Sequence, residues 1–311
     1  MPFSSRIFLL AVSFLSICVF GAERVAFTKD DAAYAYKIAK DFVADCTPRN
    51  AGTLRARLAA SWIADRVSRC GVDADIDSFV DETPDGKKKF HNVCVHLKAE
   101  NPESPWIVFM SHFDTAPNVK PYFEGANDSA STTGLLIALT AAIKRAGGAK
   151  DYNILFVWTD GEECRKDYSP IDGFHGSRHL LDVFLKKKRT IRAVTCLDML
   201  GDKDLNIMIP ANSSPVLKRA ALLAAKRIDL GKYIKYNKEA DVMDDHSAFY
   251  NKGFQAIDFI DFEFGSQKGL NDYWHTPNDT IDKISQESLF ISGRIVSEYF
   301  NIIDGRYKNK K

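Results

Sequence analysis

Histidines and acidic residues that could take part in chemistry occur at six points along this 311-residue sequence. In chain order, these points are Ser111-His112-Phe113-Asp114, Asp128, Asp160-Gly161-Glu162-Glu163, Asp198, Asp244-Asp245-His246 and Trp274-His275. Imidazole nitrogens and carboxylate oxygens, without thiolates, are suitable ligands for zinc. A catalytic zinc ion takes three protein ligands and leaves one position for substrate or water. The sequence therefore predicts a catalytic zinc site with carboxylates left over for proton transfer.

Each of these motifs alone has an ordinary structural explanation. Asp128 is a suitable N-cap for the helix predicted after it. A His-x-Asp sequence is usually a hydrogen-bonded loop pair, and adjacent glutamates after a strand often form a solvated turn. However, three of the motifs directly follow a predicted strand, and ligands bind beyond the carboxyl ends of the strands in open α/β sheets. Their joint occurrence at strand ends favours a functional site.

Apolar strands that alternate with amphipathic helices must position these motifs. Such strands are predicted at residues 106–110, 153–158, 193–197 and 256–260. Helices are predicted at residues 53–70, 131–145, 177–185, 215–228 and 285–303, and a capping box at residues 28–31 opens a further helix. Two earlier strands, 75–80 and 90–97, are joined by an Asp85-Gly86 hairpin turn. The pattern predicts a single α/β domain with a mostly parallel, twisted central sheet, an antiparallel hairpin at one edge and helices on both faces.

The N-terminus is typical of a secretory signal peptide. Arg6 precedes an apolar run at residues 7–20, and Gly21-Ala22 supplies small residues for cleavage. The run is short for a transmembrane anchor. Lipoprotein anchoring at Cys18 is not expected, because Ile17 is bulky where a small residue is needed. We therefore expect residues 1–22 to be a signal peptide, residues 23–311 to form the catalytic domain, and the protein to be secreted or periplasmic.

Charge and cysteine content exclude some kinds of site. The formal net charge is +1, which gives no general electrostatic reason to bind nucleic acid. Without Cys18, five cysteines remain, so an exported chain would leave at least one unpaired. None of them forms a Cys-x-x-Cys pair, so the sequence gives no support for a thiolate zinc site. No interface is evident in the sequence, and we expect a monomer.

The motifs resemble those of the animal-type glutaminyl cyclases, which also occur in bacteria and belong to the zinc aminopeptidase superfamily. The resemblance extends from about residue 48 to the last predicted helix. The motifs that carry it are Thr83-Pro84-Asp85-Gly86, Phe90-His91-Asn92, Gly125-Ala126-Asn127-Asp128-Ser129-Ala130, Asp160-Gly161-Glu162-Glu163, Ser169-Pro170-Ile171-Asp172, Gly176-Ser177-Arg178-His179-Leu180, Leu197-Asp198-Met199-Leu200-Gly201, Asp244-Asp245-His246 and Tyr273-Trp274-His275-Thr276. The resemblance implies that peptides with N-terminal glutamine are converted to pyroglutamate with loss of ammonia.

The resemblance also implies roles for individual residues. Asp128, Glu163 and His275 match the ligands of a single zinc ion, and Glu162 matches the acid/base that moves the proton. Two further carboxylates near the reaction centre correspond to Asp198 and Asp244, which are expected to be catalytic. The substrate pocket is expected to contain Trp274, and Tyr168 stands where animal cyclases carry a tryptophan.

Two alternatives remain open at this stage. A secreted aminopeptidase with two zinc ions would use Asp128 as a bridging ligand and complete the second site with His112 and Asp198. Two metal ions would activate water and favour hydrolysis of the N-terminal residue. The Asp244-Asp245-His246 motif and Trp274 favour the cyclase with one zinc ion. A binding protein that has lost the site is a third hypothesis, which the complete set of candidate ligands disfavours.

Overall fold

A computed structural model describes residues 23–120 and 122–306 of the chain. The predicted signal peptide and Cys18 lie outside these ranges. None of the helices in the described ranges is both long and apolar enough to cross a bilayer. The five cysteines of this part are all free thiols, so the structure contains no disulfide there.

Seven helices and eight strands make up the described fold. The helices are α1 (Lys29–Cys46), α2 (Leu54–Ser68), α3 (Thr132–Arg145), α4 (His175–Lys186), α5 (Pro215–Arg227), α6 (His246–Tyr250) and α7 (Gln286–Ile303). The strands are β1 (Asp75–Asp81), β2 (Lys88–Leu97), β3 (Trp106–His112), β4 (Asn153–Thr159), β5 (Ile191–Asp198), β6 (Ile207–Ile209), β7 (Ile234–Tyr236) and β8 (Ala256–Ile260). The predicted capping box is present, because the side chain of Thr28 accepts from the backbone N–H of Asp31 and the Asp31 carboxylate accepts from that of Thr28.

All eight strands form one sheet in the order β1-β2-β4-β3-β5-β8-β6-β7. The central strands β4, β3, β5 and β8 are parallel to their neighbours within this group. The hairpin β1–β2 is antiparallel and lies at one edge. This confirms the predicted α/β class and hairpin. Strands β6 and β7, which complete the opposite edge, were not predicted from the sequence, because three-residue strands are too short to show a pattern.

Helices cover both faces of the sheet, as predicted. Alternate residues of β3 point to opposite faces: Ile107 and Phe109 belong to one apolar cluster, whereas Val108 and Met110 belong to another. The first cluster contains buried residues of α1, α2, α3, α5 and α7, and the second contains those of α4 and α6. All four β3 residues are fully buried. The apolar runs of the central strands therefore fix the sheet rigidly between two layers, with its carboxyl edge free to carry a site.

Candidate metal centre

The carboxyl ends of the central strands bring three of the motifs together. Strand β3 ends at His112, β5 ends at Asp198, and β4 ends one residue before Asp160-Gly161-Glu162-Glu163. Because β4, β3 and β5 are parallel neighbours, these residues share one edge of the sheet. Glu162 and Glu163 are only 5% and 4% exposed, so they do not form a solvated turn.

Asp128 reaches the same edge from an irregular helical turn at residues 126–131. It does not cap α3, which begins four residues later at Thr132. Its backbone torsions, φ −109° and ψ 81°, are not helical. Asp128 is 2% exposed. Asp128 is therefore a buried carboxylate at the site and not a helix cap.

Asp128, Glu163 and His275, the predicted ligands of a single zinc ion, lie close together. Nε2 of His275 lies 3.3 Å from Oδ2 of Asp128 and 3.1 Å from Oε1 of Glu163. One potential ligand atom from each residue lies within 4.8 Å of the other two. The second carboxylate oxygen of Glu163 is buried and has no hydrogen-bond partner. One imidazole and two carboxylates, mutually close and incompletely bonded, suit a zinc ion.

A second group of potential ligands shares Asp128. Nε2 of His112 lies 3.0 Å from Oδ1 of Asp128 and 3.2 Å from Oδ1 of Asp198. Asp128 thus presents one oxygen to His112 and the other to His275. Nδ1 of His112 is buried without a hydrogen-bond partner. The described residues therefore include the candidate ligands of both the one-zinc and the two-zinc hypotheses, and the geometry alone favours neither.

Neighbouring charges set the protonation of these candidate ligands. Burial alone would lower the pKa of His275, but the carboxylates of Glu163 and Asp128 raise it to about 10. Burial and the charge of Asp128 raise the pKa of Glu163 to about 7. Burial acts against ionisation of Asp128 as well, yet its contacts with His112 and His275 hold its pKa below the usual value. A metal cation would therefore enter a site that already concentrates negative charge around a histidine.

The Glu162-Glu163 turn is held by Asp114. The two oxygens of this fully buried carboxylate accept from the backbone N–H groups of Gly161, Glu162 and Glu163, at 3.0, 3.1 and 3.2 Å. Asp114 thereby fixes the backbone of a candidate ligand and of a candidate acid/base at once. The His-x-Asp motif is visible in the sequence, but this supporting role of Asp114 is not.

We expect Asp114→Asn to weaken both folding and activity. An amide has one acceptor oxygen and would turn its NH₂ group towards one or more of the three N–H donors. Loss of a charged, buried acceptor costs about 1.5–3 kcal/mol. The free energy of unfolding, measured by urea denaturation, should fall by about this amount, and turnover should fall with it. Wild-type stability in the variant would contradict the role assigned to Asp114.

The turn that carries Asp128 is supported by Asp279 and Arg49, neither of which was predicted from the sequence to belong to the site. The carboxylate of Asp279 accepts from the backbone N–H groups of Asn127 and Asp128, at 2.7 and 3.1 Å. Gly125 begins the turn with φ 56°, and a Cβ atom there would lie 2.4 Å from the carbonyl oxygen of Asp128. A side chain therefore does not fit at Gly125. Asp279 lies more than 150 residues from its partners, so no local pattern could reveal the contact.

Arg49 is the second missed residue, and it is fully buried. Its guanidinium donates to the backbone carbonyls of Phe113, Glu124 and Gly125, at 2.5, 2.8 and 2.7 Å. Burial lowers its pKa to about 10, which nearby carboxylates oppose. The rigid fork of arginine donors ties the loop after β3 to the loop before Asp128.

Glu162 lies beside the candidate ligands but has a different environment. The hydroxyl of Tyr168 donates to its carboxylate, at 3.1 Å from Oε1. Burial raises the pKa of Glu162 well above its usual value; His112 opposes this shift, whereas the charges of Glu163 and Asp244 add to it. A carboxyl group with a raised pKa next to a metal site is suited to take up and return a proton near neutral pH.

Asp198 and Asp244 complete the acidic cluster. Burial raises the pKa of each to about 6, and in Asp244 the charge of Asp198 contributes further. Asp244 accepts from the thiol of Cys196 at 3.3 Å and from the backbone N–H of Asp245 at 2.5 Å. Asp245 points away, and its carboxylate accepts from the hydroxyl of Thr159 at 2.5 Å. Of the two adjacent aspartates, Asp244 lines the cavity described next.

These groups line one cavity of about 250 Å³. Its lining residues are His112, Asp128, Glu162, Glu163, Tyr168, Asp198, Asp241, Val242, Met243, Asp244, Ile260, Phe262, Trp274 and His275. Trp274 stacks on the imidazole of His275, with ring centroids 4.0 Å apart and an interplanar angle of 23°. The Trp274 ring also contacts that of Phe262, with ring centroids 5.1 Å apart. All of the sequence-predicted site residues therefore line one cavity, with Trp274 and Tyr168 as aromatic walls.

Comparisons with known proteins agree with this geometry. Residues 92–300 match peptidase family M28. The crystal structure of an Acidobacteriales bacterium glutaminyl cyclase is 31% identical, covers 97% of this chain and 100% of its own, and superposes with a TM-score of 0.81. The glutaminyl-peptide cyclotransferase of Dictyostelium discoideum is 26% identical over 319 residues, which is 87% of this chain and 84% of that protein. The aminopeptidase YwaD of Bacillus subtilis is 26% identical over 213 residues, 66% of this chain and 43% of that protein. The chain belongs to peptidase family M28 and, within it, to the glutaminyl cyclases.

Proposed function

We propose that this protein is a zinc-dependent glutaminyl-peptide cyclotransferase, which converts the N-terminal glutamine of peptides to pyroglutamate and releases ammonia. The observation that carries the proposal is the position of Glu162. Its carboxyl group has a raised pKa and lies beside the Asp128, Glu163 and His275 ligand set, inside a single cavity of about 250 Å³. The aromatic walls Trp274 and Tyr168 leave room for one amino acid side chain rather than for a large ligand.

Asp128, Glu163 and His275 would hold about one zinc ion per chain, because a catalytic zinc site has three protein ligands. When bound, zinc polarises the side-chain carbonyl of the glutamine and so makes its carbon more electrophilic. Asp114 and Asp279 keep two of these ligands in place through the backbone. The Trp274 ring, stacked on His275, limits the rotation of the third.

Glu162 carries the proton during the reaction. The α-amine nitrogen of the substrate forms a bond to the side-chain amide carbon, and the carboxylate of Glu162 accepts the proton that this nitrogen loses. The same proton then passes to the amide nitrogen, whose bond to carbon breaks as ammonia leaves. The cavity holds amine and amide together, so an intramolecular attack replaces a slow chance encounter. The hydroxyl of Tyr168 orients the carboxylate of Glu162 for both transfers.

Asp198 and Asp244 line the same cavity as Glu162 and would contact the groups that exchange the proton. Both have a pKa raised to about 6 by burial. They can accept hydrogen bonds from the substrate amine and from the leaving nitrogen. Trp274 and Tyr168 form the apolar walls that exclude water, which would otherwise compete with the amine as the nucleophile.

One observation favours a second candidate function. His112, Asp128 and Asp198 form a further ligand group that shares Asp128 with the first, as a two-zinc aminopeptidase requires. Two metal ions would activate a water molecule and direct it to the peptide bond after the N-terminal residue. A homologue that only binds peptides would need neither Glu162 nor a metal ion.

The decisive experiment compares two substrates on purified residues 23–311, with the zinc content measured first. A glutaminyl peptide is assayed for ammonia release, and an unblocked aminoacyl amide for hydrolysis. We expect ammonia release with about one zinc per chain and no hydrolysis. Hydrolysis with two bound zinc ions would establish the aminopeptidase instead. A protein without metal or either activity would support the binding homologue.

The remaining proposals concern the whole chain. We propose that residues 1–22 direct export and are removed, that residues 23–311 form the catalytic domain, and that the enzyme acts as a monomer in the periplasm or outside the cell. Its partners are peptides or proteins with N-terminal glutamine, and nucleic acid is not among them. Arg6 and the apolar run after it support export, and the formal net charge of +1 gives no general attraction to nucleic acid.

A further inference from the structure

One carboxylic acid that lines the cavity has no part in the proposed reaction. Six lining residues are carboxylic acids, and none of the described residues that line the cavity is a lysine or an arginine. Five of these acids are buried and belong to the reaction centre: Asp128, Glu162, Glu163, Asp198 and Asp244. The sixth, Asp241, is exposed. A carboxylate that lines the cavity and is also exposed to solvent lies at the mouth of the cavity. The part of a bound peptide that follows the glutamine must extend out of the cavity there.

The backbone on either side of Asp241 is fixed. The side-chain amide of Asn212 donates to the carbonyl of Val242 at 2.7 Å and accepts from the N–H of the same residue at 3.1 Å. The N–H of Ala211 donates to the carbonyl of Ala240 at 2.8 Å. These three bonds tie residues 240–242 to the loop after β6. Asp241 is therefore held at a defined place on the cavity wall, which a specificity group requires.

An exposed apolar side chain lies next to this charge. Met243 lines the cavity and is 61% exposed, so its side chain is available to a bound peptide. Methionine is flexible and polarisable, so it adapts to side chains of different shape. Lysine and arginine have aliphatic stems that pack on apolar surfaces while their charged groups remain in water. Met243 and Asp241 together offer a contact for each part of such a side chain.

We propose that the mouth segment, residues 241–243, selects peptides in which lysine or arginine directly follows the N-terminal glutamine. The inference rests on the cyclotransferase function proposed above. A cavity of about 250 Å³ accommodates little more than the glutamine itself, so the mouth contacts the second residue of the peptide. The carboxylate of Asp241 pairs with the cationic group of that residue, and Met243 contacts its stem.

The test measures ammonia release from three peptides that differ only at the second residue, which is lysine, leucine or glutamate. The reported quantity is the ratio of kcat/KM for the lysine peptide to that for the glutamate peptide, in wild type and in Asp241→Asn. An exposed ion pair changes an equilibrium about two- to fivefold, and repulsion acts by a similar factor. We therefore expect the ratio to exceed one in wild type and to fall about four- to twenty-five-fold in the variant, which is the product of the two factors.

A matched control removes the same charge two residues away. Glu239 is exposed and lies just before the mouth segment, but it does not line the cavity, so Glu239→Gln should change the ratio much less than Asp241→Asn does. Asp241→Lys should reverse the preference towards the glutamate peptide. At about 1 M salt the wild-type preference should largely disappear, because screening then acts within about 3 Å.

Two outcomes would overturn the inference, and they can be told apart. If wild type releases ammonia from all three peptides but Asp241→Asn and Glu239→Gln change the ratio equally, the selection by Asp241 is wrong and the cyclotransferase function stands. If wild type releases no ammonia from any of the peptides, the proposed function fails and the inference fails with it.

Discussion

Glu162→Gln is expected to lose nearly all turnover and to keep its zinc. Glutamine has the shape of glutamate but cannot accept and return a proton, and general acid–base catalysis contributes about 10²–10⁴-fold to a rate. Glu162 is not in the Asp128, Glu163 and His275 ligand set, so the metal should remain. The measurement is kcat/KM for ammonia release from a glutaminyl peptide, together with zinc per chain in the same preparation.

The adjacent residue provides a matched comparison. Glu163→Gln makes the same chemical change one position along the chain, on a backbone held by the same Asp114 carboxylate. It should lose zinc as well as activity, because an amide is a poor zinc ligand compared with a carboxylate. The two variants therefore separate proton transfer from metal binding. Equal zinc loss in both would show that Glu162 is a ligand and would remove it from the role of acid/base.

The apolar strands made most of the fold predictable. The four central strands have continuous apolar sequences because helices cover both of their faces, and such runs are visible without any structure. The hairpin was marked by its Asp85-Gly86 turn and the first helix by its capping box. By contrast, β6, β7 and α6 have three to five residues each, and such short elements depend on tertiary contacts rather than on local pattern.

The candidate site was predictable for a different reason. Parallel strands deliver the residues after their carboxyl ends to one edge, so the positions of His112, Glu163 and Asp198 in the sequence already implied their proximity. The supporting residues could not be found in this way. Arg49 contacts carbonyls 64 to 76 residues away, and Asp279 contacts a turn more than 150 residues away. Such contacts exist only once the chain has folded, and a single arginine or aspartate has no pattern of its own.

The mouth of the cavity illustrates the same limit. Asp241 and Met243 precede the Asp244-Asp245-His246 motif, yet the sequence analysis gave them no role. Their importance comes from the backbone bonds between Val242 and Asn212, which fix them on the cavity wall. A residue at the rim of a site is recognisable only when the cavity is known, because its type alone is that of an ordinary surface loop.

His275→Ala is expected to abolish zinc binding. His275 supplies the nitrogen of the proposed ligand set, and its imidazole is the member closest to solvent, with 29% of the side chain exposed. Loss of even a supporting partner of a ligand costs roughly 10–100-fold in metal affinity, and loss of a ligand from a three-residue site should cost more. After dialysis against a weak chelator, the variant should hold much less than the approximately one zinc per chain expected of wild type.

Two further histidine variants test whether the loss of zinc is specific to His275. Nε2 of His179 lies 3.0 Å from the carboxylate of Asp77, and neither residue lines the cavity, so His179→Ala should retain zinc like wild type. His112→Ala distinguishes the two metal hypotheses. A cyclase with one zinc ion keeps it in this variant, because His112 is outside its ligand set. An aminopeptidase with two ions should drop from two to about one, since His112 belongs to the second group. In His275→Ala, the one-zinc hypothesis predicts loss of its zinc ion, and the two-zinc hypothesis predicts a drop from two ions to about one. Zinc at the full wild-type content in His275→Ala would contradict the ligand assignment under either hypothesis, because both require His275.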